Sequence, residues 1–278
     1  MTNSIRTGEA LRPDFLRRYG PWALIAGASE GIGEAFARQL AAHGFGLVLI
    51  ARRAGPLDAL ASELRAAGTA VRTLAIDVRR DDIVPCVEPV TADVAVGLLV
   101  YNAGSVLGAD TFLSRPVEHA LQLMHLNCRG PVLLSHHFSS RMVERGAGGI
   151  LLVTSMAALA GSARTAVYGA TKAFELIFAE GLWAELQPHG VDVLACVAGA
   201  TRTPSVLNAG ARVDGGSVPV MESQDVAAEA LAHLADGPTW VVGEGNRQIA
   251  AQIWPASRAA LVRAMSAGTE AVWGPPAK

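Results

Sequence analysis

Charge is scarce in this chain, and what there is nearly cancels. Asp, Glu, Lys and Arg make up 17% of the 278 residues, the formal net charge is −2, and no long basic block occurs. A protein whose main partner is nucleic acid gathers lysine and arginine into a patch, so that class is disfavoured. Cysteine is scarce too. Cys86, Cys128 and Cys196 are scattered beside apolar residues, which reads as buried free thiols in a reducing compartment rather than a disulfide framework. No CxxC pair or His/Cys cluster offers a metal site. His125, His136 and His137 stand at no ligand spacing and read as packing or surface residues. The opening MTNSIRTGEALRPDFLRRYG lacks the apolar stretch of a signal peptide. The longest uncharged run lies between Arg145 and Arg164, and its serines, threonine and glycines read as a strand plus a loop rather than a membrane span. A cytoplasmic protein is the expectation.

What the chain does have is apolar residues, at 51%. The core should be generous, and so sparsely charged a surface suggests burial in a homodimer or homotetramer. Short, mostly apolar runs at 22–26, 46–51, 70–76, 96–101, 149–155, 191–197 and 239–242 read as seven strands covered on both faces. Amphipathic stretches at 31–43, 57–67, 81–91, 117–145, 166–187 and 224–234 read as the helices between them. Strand and helix in alternation imply right-handed βαβ units and a doubly wound, mostly parallel sheet flanked by helices. No repeat or linker breaks the rhythm, so 1–278 reads as one domain with a core at about 20–243. Residues 200–221, with Pro204, Gly210, Gly215, Gly216 and Pro219, read as a lid. Residues 247–278 read as an added C-terminal helical segment interrupted at Pro255.

The first strand runs directly into Gly27-Ala28-Ser29-Glu30-Gly31-Ile32-Gly33 and then into helical sequence. Glycines there allow a tight turn and close approach of backbone to a pyrophosphate, which the free N–H groups and positive dipole end of a helix would meet. That position, after strand and before helix, is what gives a glycine-rich turn its meaning. The second strand ends at Arg52-Arg53 with no acid before Asp58. A guanidinium suits a 2′-phosphate, so NADP(H) is favoured over NAD(H), with Arg52 the first choice and Arg53 the second. Ser29 can add a hydroxyl, while Glu30 is an awkward neighbour for a phosphate. Asp77-Val78 follows the third strand, where the carboxylate can accept from an adenine amino group or cap the next helix. Asn102-Ala103-Gly104 follows the fourth as a tight passage of small residues.

Tyr168 and Lys172 stand four apart in VYGATKAF, on one helix face, with Ser155 thirteen residues before the tyrosine. An ammonium beside a phenol favours the phenolate, which suits the pair to proton transfer near neutral pH. Taken with the glycine turn, Asp77-Val78, Asn102-Ala103-Gly104 and the Gly199 segment, this resembles the short-chain dehydrogenase/reductase family over nearly the whole chain, from about 22 to 242. YGPWALIAGASEGIG, LIARR, ATRTPSVL and the WVVGEGNRQ ending are further similar to its bacterial NADPH-dependent hydroxysteroid dehydrogenases of the 7-beta type. The chain departs from the family pattern at Ala26, at Tyr101 and at Ala198, where threonine, asparagine and proline are usual.

The resemblance implies a single Rossmann fold and an oxidoreductase that moves a hydride between nicotinamide and a ketone or secondary alcohol. It implies that Tyr168 exchanges a proton with the substrate oxygen, that Lys172 holds the nicotinamide ribose, and that Ser155 stabilises the charge growing on the carbonyl. Asn127 matches the family asparagine that kinks its helix and seats a relay water. Gly199, Thr201 and Thr203 would meet the nicotinamide carboxamide, and Thr203 also suits the start of a short helix before Pro204. The substrate pocket is expected from 105–110, 156–165 and the lid. Val106, Leu107, Met156, Leu159, Val206 and Leu207 there favour an apolar substrate, a hydroxysteroid among the candidates. Arg164 reads as a solvated loop residue. Two other readings compete. A catalytically idle NADP(H)-sensing protein would need none of Ser155, Tyr168 and Lys172, and an enoyl reductase spaces its tyrosine and lysine more widely.

Overall fold

The computed structural model describes residues 11–104, 111–208, 218–254, 257–259 and 263. Helix α1 (Phe15–Tyr19) leads into strand β1 (Trp22–Ala26), α2 (Gly31–Ala42), β2 (Gly46–Ala51), α3 (Ala54–Ala66), β3 (Val71–Ala75), α4 (Ile83–Thr91) and β4 (Val96–Tyr101). The second half continues with α5 (Val117–Met124), α6 (Gly130–Arg145), β5 (Gly148–Ser155), α7 (Ala166–Leu186) and β6 (Val191–Ala198). It closes with β7 (Ala200–Arg202), α8 (Pro204–Asn208), β8 (Val220–Glu222), α9 (Ser223–Ala232), β9 (Thr239–Val241) and α10 (Glu244–Ile253). Seven strands form one sheet in the order β3-β2-β1-β4-β5-β6-β9, and every pairing is parallel. The order reverses between β1 and β4, which opens a crevice at the carboxyl ends of those strands.

Alternation along each strand sorts the core onto two faces. From β1, Ala23 and Ile25 point to one layer with Phe36, Leu40 and Leu57, beneath α2, α3 and α9. Leu24 and Ala26 point to the other with Leu134, Phe138 and Leu176, beneath α6 and α7. This is why the strand sequences read as mostly apolar runs rather than alternating ones.

The 117–145 helix is interrupted by one π-helical turn at His125–Arg129 between α5 and α6, which falls at Asn127, where the family resemblance implies a kink. Three features depart from the sequence reading. The 200–221 segment is not structureless at its ends: β7 pairs with β8 and α8 follows β7, while 209–217 lie outside the described residues. The C-terminal helix begins at Glu244 rather than after Arg247 and ends at Ile253, before Pro255, which is also outside them. Of the cysteines, all free, only Cys196 is buried; Cys86 and Cys128 are half-buried. No helix of the described residues is long and apolar enough to cross a membrane.

Candidate active site

The turn after β1 is held open by backbone chemistry. Gly27 has φ +83°, and a Cβ there would come within 2.7 Å of the Ala103 Cα, so glycine is required on both counts. A Cβ on Gly33 would overlap the Gly27 carbonyl, so Gly33 serves the helix–turn packing rather than the cleft itself. Asn102 ties the turn from the next strand: its Nδ2 donates to the Gly27 carbonyl at 3.0 Å and its backbone N–H to the Ala26 carbonyl at 3.0 Å. The first N–H groups of α2 thereby face a cleft of about 430 Å³ that runs across the carboxyl ends of the sheet. A cradle that no side chain fills, ending on a twelve-residue helix, fits a dinucleotide pyrophosphate.

Ser29, Glu30, Gly31 and Ile32 line one end of this cleft together with Arg52, Arg53, Asp77 and Val78. The charges there are mostly paired. Arg53 bonds Glu30, which neutralises the acid that made this end unwelcoming to phosphate but also occupies Arg53. Asp77 receives the Arg79 guanidinium on both oxygens, at 2.5–3.0 Å, and the Arg79 backbone N–H at 3.0 Å. Its carboxyl is held below the usual range by Arg79 first and by Arg52 in smaller part. The capping alternative is not realised: α4 begins at Ile83 with Asp82 at its N-cap, and the Asp77 carboxylate instead closes a turn on the Arg79 N–H while still lining the cleft. Arg52 and Arg53 are both exposed at this end, and Arg52 makes no ion pair among the described residues.

Ala103, Gly104, Gly199 and Thr201 also line the cleft, as do Ser155, Tyr168 and Lys172, and Thr203 lines it beside Gly31. Thr201 donates to the Gly199 carbonyl at 3.1 Å. Thr203 accepts from the Val206 N–H at 3.2 Å and caps α8 ahead of Pro204. The Ser155 oxygen accepts the Ala157 N–H at 3.2 Å, which leaves its own proton for a ligand.

Lys172 is almost wholly buried, yet its Nζ reaches the cleft floor beside Gly104. It donates to the Val153 carbonyl at 2.9 Å and to Glu175 Oε2 at 2.7 Å. Burial works against the ammonium, but Glu175 and Tyr168 outweigh it and hold Lys172 above its ordinary value. Burial pushes Glu175 itself up to about 7 despite the ammonium beside it.

Asn127 does not line the cleft; it lies fully buried beneath it, on the π turn. Its Nδ2 donates to Thr171 Oγ1 at 3.0 Å, and Thr171 in turn donates to the Tyr168 carbonyl at 2.9 Å. Its Oδ1 has no partner among the described residues. A buried orphan acceptor beside a lysine is a seat for water.

Tyr168 borders a second cavity of about 220 Å³, walled by Leu113, Pro116, Val117, Leu123 and Val167, with exposed Arg164 at its rim. The Thr111–Leu123 wall went unrecognised in the sequence because no motif marks it. Of the segments expected to form the pocket, 105–110 lie outside the described residues, while Met156 and Val206 line the larger cleft. Three further residues near the site also escaped the sequence reading. Glu175 stands seven residues after Tyr168, and that spacing on one helix face was a legible signal. The Tyr101 hydroxyl donates to the Leu126 carbonyl at 2.6 Å, inside the π turn. Asn246 is buried against Gly199, where a Cβ would overlap its amide, and no local pattern announced that contact.

Comparison with known proteins agrees with this architecture. Residues 21–213 match the family described as short chain dehydrogenase. A 7beta-hydroxysteroid dehydrogenase of Clostridium sardiniense is 30% identical over 238 residues, which cover 84% of this chain and 90% of that one. A very-long-chain 3-oxoacyl-CoA reductase of Podospora anserina is 36% identical over 186 residues, covering 64% of this chain and only 55% of its own length. The chain thus spans little more than half of that relative. Among solved structures, a short-chain dehydrogenase from Sphingobium yanoikuyae in complex with NADPH superposes with a TM-score of 0.77 at 33% identity, covering 93% of this chain and 99% of that one. A parallel seven-stranded sheet, a glycine turn at its switch point and a family match across most of the chain lead to one conclusion: this protein belongs to the short chain dehydrogenase family.

Proposed function

We propose that this chain is an NADP(H)-dependent carbonyl reductase and alcohol dehydrogenase for apolar ketones and secondary alcohols, with hydroxysteroids as the leading substrate class. The observation that carries the reading is the position of Tyr168. Its side chain borders both the dinucleotide-shaped cleft and the apolar cavity beside it. A proton donor standing between a cofactor cleft and a greasy pocket is what ketone reduction requires. The similarity to a 7beta-hydroxysteroid dehydrogenase across 84% of the chain supports the steroid class.

A bound nicotinamide supplies the hydride. The protein's residues do the rest. Ser155 donates a hydrogen bond from its hydroxyl to the substrate oxygen and stabilises the charge that grows there. Tyr168 delivers the proton in reduction and removes it in oxidation. Lys172 turns its remaining N–H to the cleft, where it holds the ribose and keeps a positive charge near the phenol. Asn127 seats the water that reconnects Lys172 to solvent. At the far end Arg52 meets the 2′-phosphate, which is the basis for preferring NADP(H).

The test is an NADPH-oxidation screen over steroid, aliphatic and aryl ketones, repeated with Tyr168→Phe. That variant should lose at least about 100-fold in kcat, the usual worth of a positioned acid–base group, and still bind NADPH. Turnover close to that of the unaltered protein would refute the assignment.

A further inference from the structure

Among the described residues, Glu175 is the one buried carboxylate near the site that this mechanism leaves unused. It lies on α7 one turn beyond Lys172, its exposure is 0%, and its Oε1 has no partner among the described residues. The neighbouring helix layer is apolar, with Leu176, Ala179 and Trp183 in the same cluster. Packing alone gives no reason for an acid here, since replacing a buried ion pair by apolar residues of similar volume is often neutral or stabilising. The reason must lie in what the acid does to Lys172.

An ammonium has three N–H donors. Two of those on Lys172 are committed on the protein side, to the Val153 carbonyl at 2.9 Å and to Glu175 at 2.7 Å. Those two anchors fix the direction of the third, which is left for the cleft that Lys172 lines. The carboxylate also cancels part of the charge that the cleft would otherwise feel.

We propose that Glu175 is a positioning residue of the active site, anchoring the Lys172 ammonium, aiming its free N–H into the cleft and attenuating the positive field at the Tyr168 oxygen. This rests on the function proposed above. Few other groups compete for control of Glu175. Lys172 and, beyond it, Tyr168 face it from α7, the Tyr101 hydroxyl from β4 and Cys128 from the π turn. Burial holds Glu175 near 7, so its charge, and with it the field in the cleft, changes within an ordinary working range of pH.

Glu175→Gln keeps the shape and an oxygen that accepts from Lys172, and removes only the charge. With 1-phenylethanol as the probe, the acid limb of the kcat/KM profile for oxidation should move to lower pH by about half a unit or more, because the ammonium field is no longer attenuated. Glu175→Asp, which restores the charge, should return the midpoint towards its original position even if kcat falls. An independent arm needs no turnover: the NADPH dissociation constant, followed by fluorescence between pH 5.5 and 8.5, should show an inflection near 7 that Glu175→Gln abolishes.

An acid limb and a binding curve that both stay unchanged in Glu175→Gln would overturn the proposal. Should that variant fail to fold, the binding curve of the unaltered protein decides, and the absence of an inflection refutes it. Activity retained by Tyr168→Phe would refute the proposed function instead, and the binding arm separates the two failures.

Discussion

Replacing Gly130 by alanine sets two effects of opposite sign against each other. Gly130 has right-handed helical angles, φ −57° and ψ −50°, at the start of α6. Helix propensity alone therefore predicts that Gly130→Ala stabilises by about 0.5–1 kcal/mol. The packing predicts otherwise. A Cβ there would overlap the Tyr101 hydroxyl and lie 3.0 Å from its ring Cζ. Tyr101 is 1% exposed and cannot swing away. Overpacking of this kind costs about 1–3 kcal/mol. Displacing the hydroxyl also removes the donor from the Leu126 carbonyl, now 2.6 Å away, at a further cost of about 1–3 kcal/mol. The net expectation is a loss of about 3 kcal/mol, with the clash prevailing over propensity. Urea unfolding checks it, and a double-mutant cycle identifies the cause. Tyr101→Phe removes the hydroxyl that the new methyl meets, so the two substitutions should couple by at least about 1 kcal/mol. Since the same turn carries Asn127, kcat should fall as well. Gly130→Ala at or above the original stability, or effects that add within about 0.5 kcal/mol, would refute the reasoning.

Two more outcomes are expected. Arg52→Ala should raise the NADPH dissociation constant by roughly 10- to 100-fold, the worth of one or two charge-assisted hydrogen bonds at a partly exposed site, and leave that for NADH nearly unchanged; equal effects on both in a titration would mean that the 2′-phosphate binds elsewhere. Arg258→Ala should lower thermal stability by the equivalent of about 2–4 kcal/mol, because Arg258 bonds both oxygens of the buried Glu180 at 2.7 Å and its removal leaves that acid, among the described residues, with the Thr239 hydroxyl alone; an unshifted melting curve would show that the C-terminal anchor is dispensable.

The fold was legible in the sequence to the extent that burial is two-sided. Strands such as 46–51 and 96–101 are apolar throughout because helices cover both faces, and no surface alternation blurs them. The chemical motifs were legible because each is local: a glycine turn, a tyrosine and lysine one turn apart, a threonine before Pro204. What escaped depends on contacts between distant segments. The kink at Asn127 was implied by the family resemblance, but what its π turn packs on was not: Tyr101, more than twenty residues earlier, bonds the Leu126 carbonyl through its hydroxyl. Tyr101 read as a departure from the family pattern, and only the turn explains it. Asn246 packs on Gly199 across the sheet edge, so its role could not be found in its neighbours. Arg53 and Glu30 both line the cleft, but their mutual pairing is a matter of side-chain reach, which spacing does not encode.

The two ends of the cleft differ in how firmly they are built, and this predicts where substitutions act. At the Tyr168 end the groups are tied to backbone. Thr154 donates to the Lys172 carbonyl at 2.7 Å, Lys172 donates to the Val153 carbonyl, and Thr171 links Asn127 to the Tyr168 carbonyl. Strand β5, helix α7 and the π turn thus hold one another in register before any ligand arrives. At the other end, Arg53–Glu30 and Asp77–Arg79 are side-chain pairs that water can reach, and exposed pairs of this sort contribute little and exchange readily. On the proposed function, a phosphate entering beside Arg52 would have to re-sort them, while a carbonyl entering beside Ser155 would find its partners already in place. Substitutions at Arg52, Arg53 or Asp77 should therefore be read mainly in cofactor affinity. Those at Thr154, Thr171 or Asn127 should be read in kcat, because they loosen a geometry that is otherwise fixed ahead of the reaction.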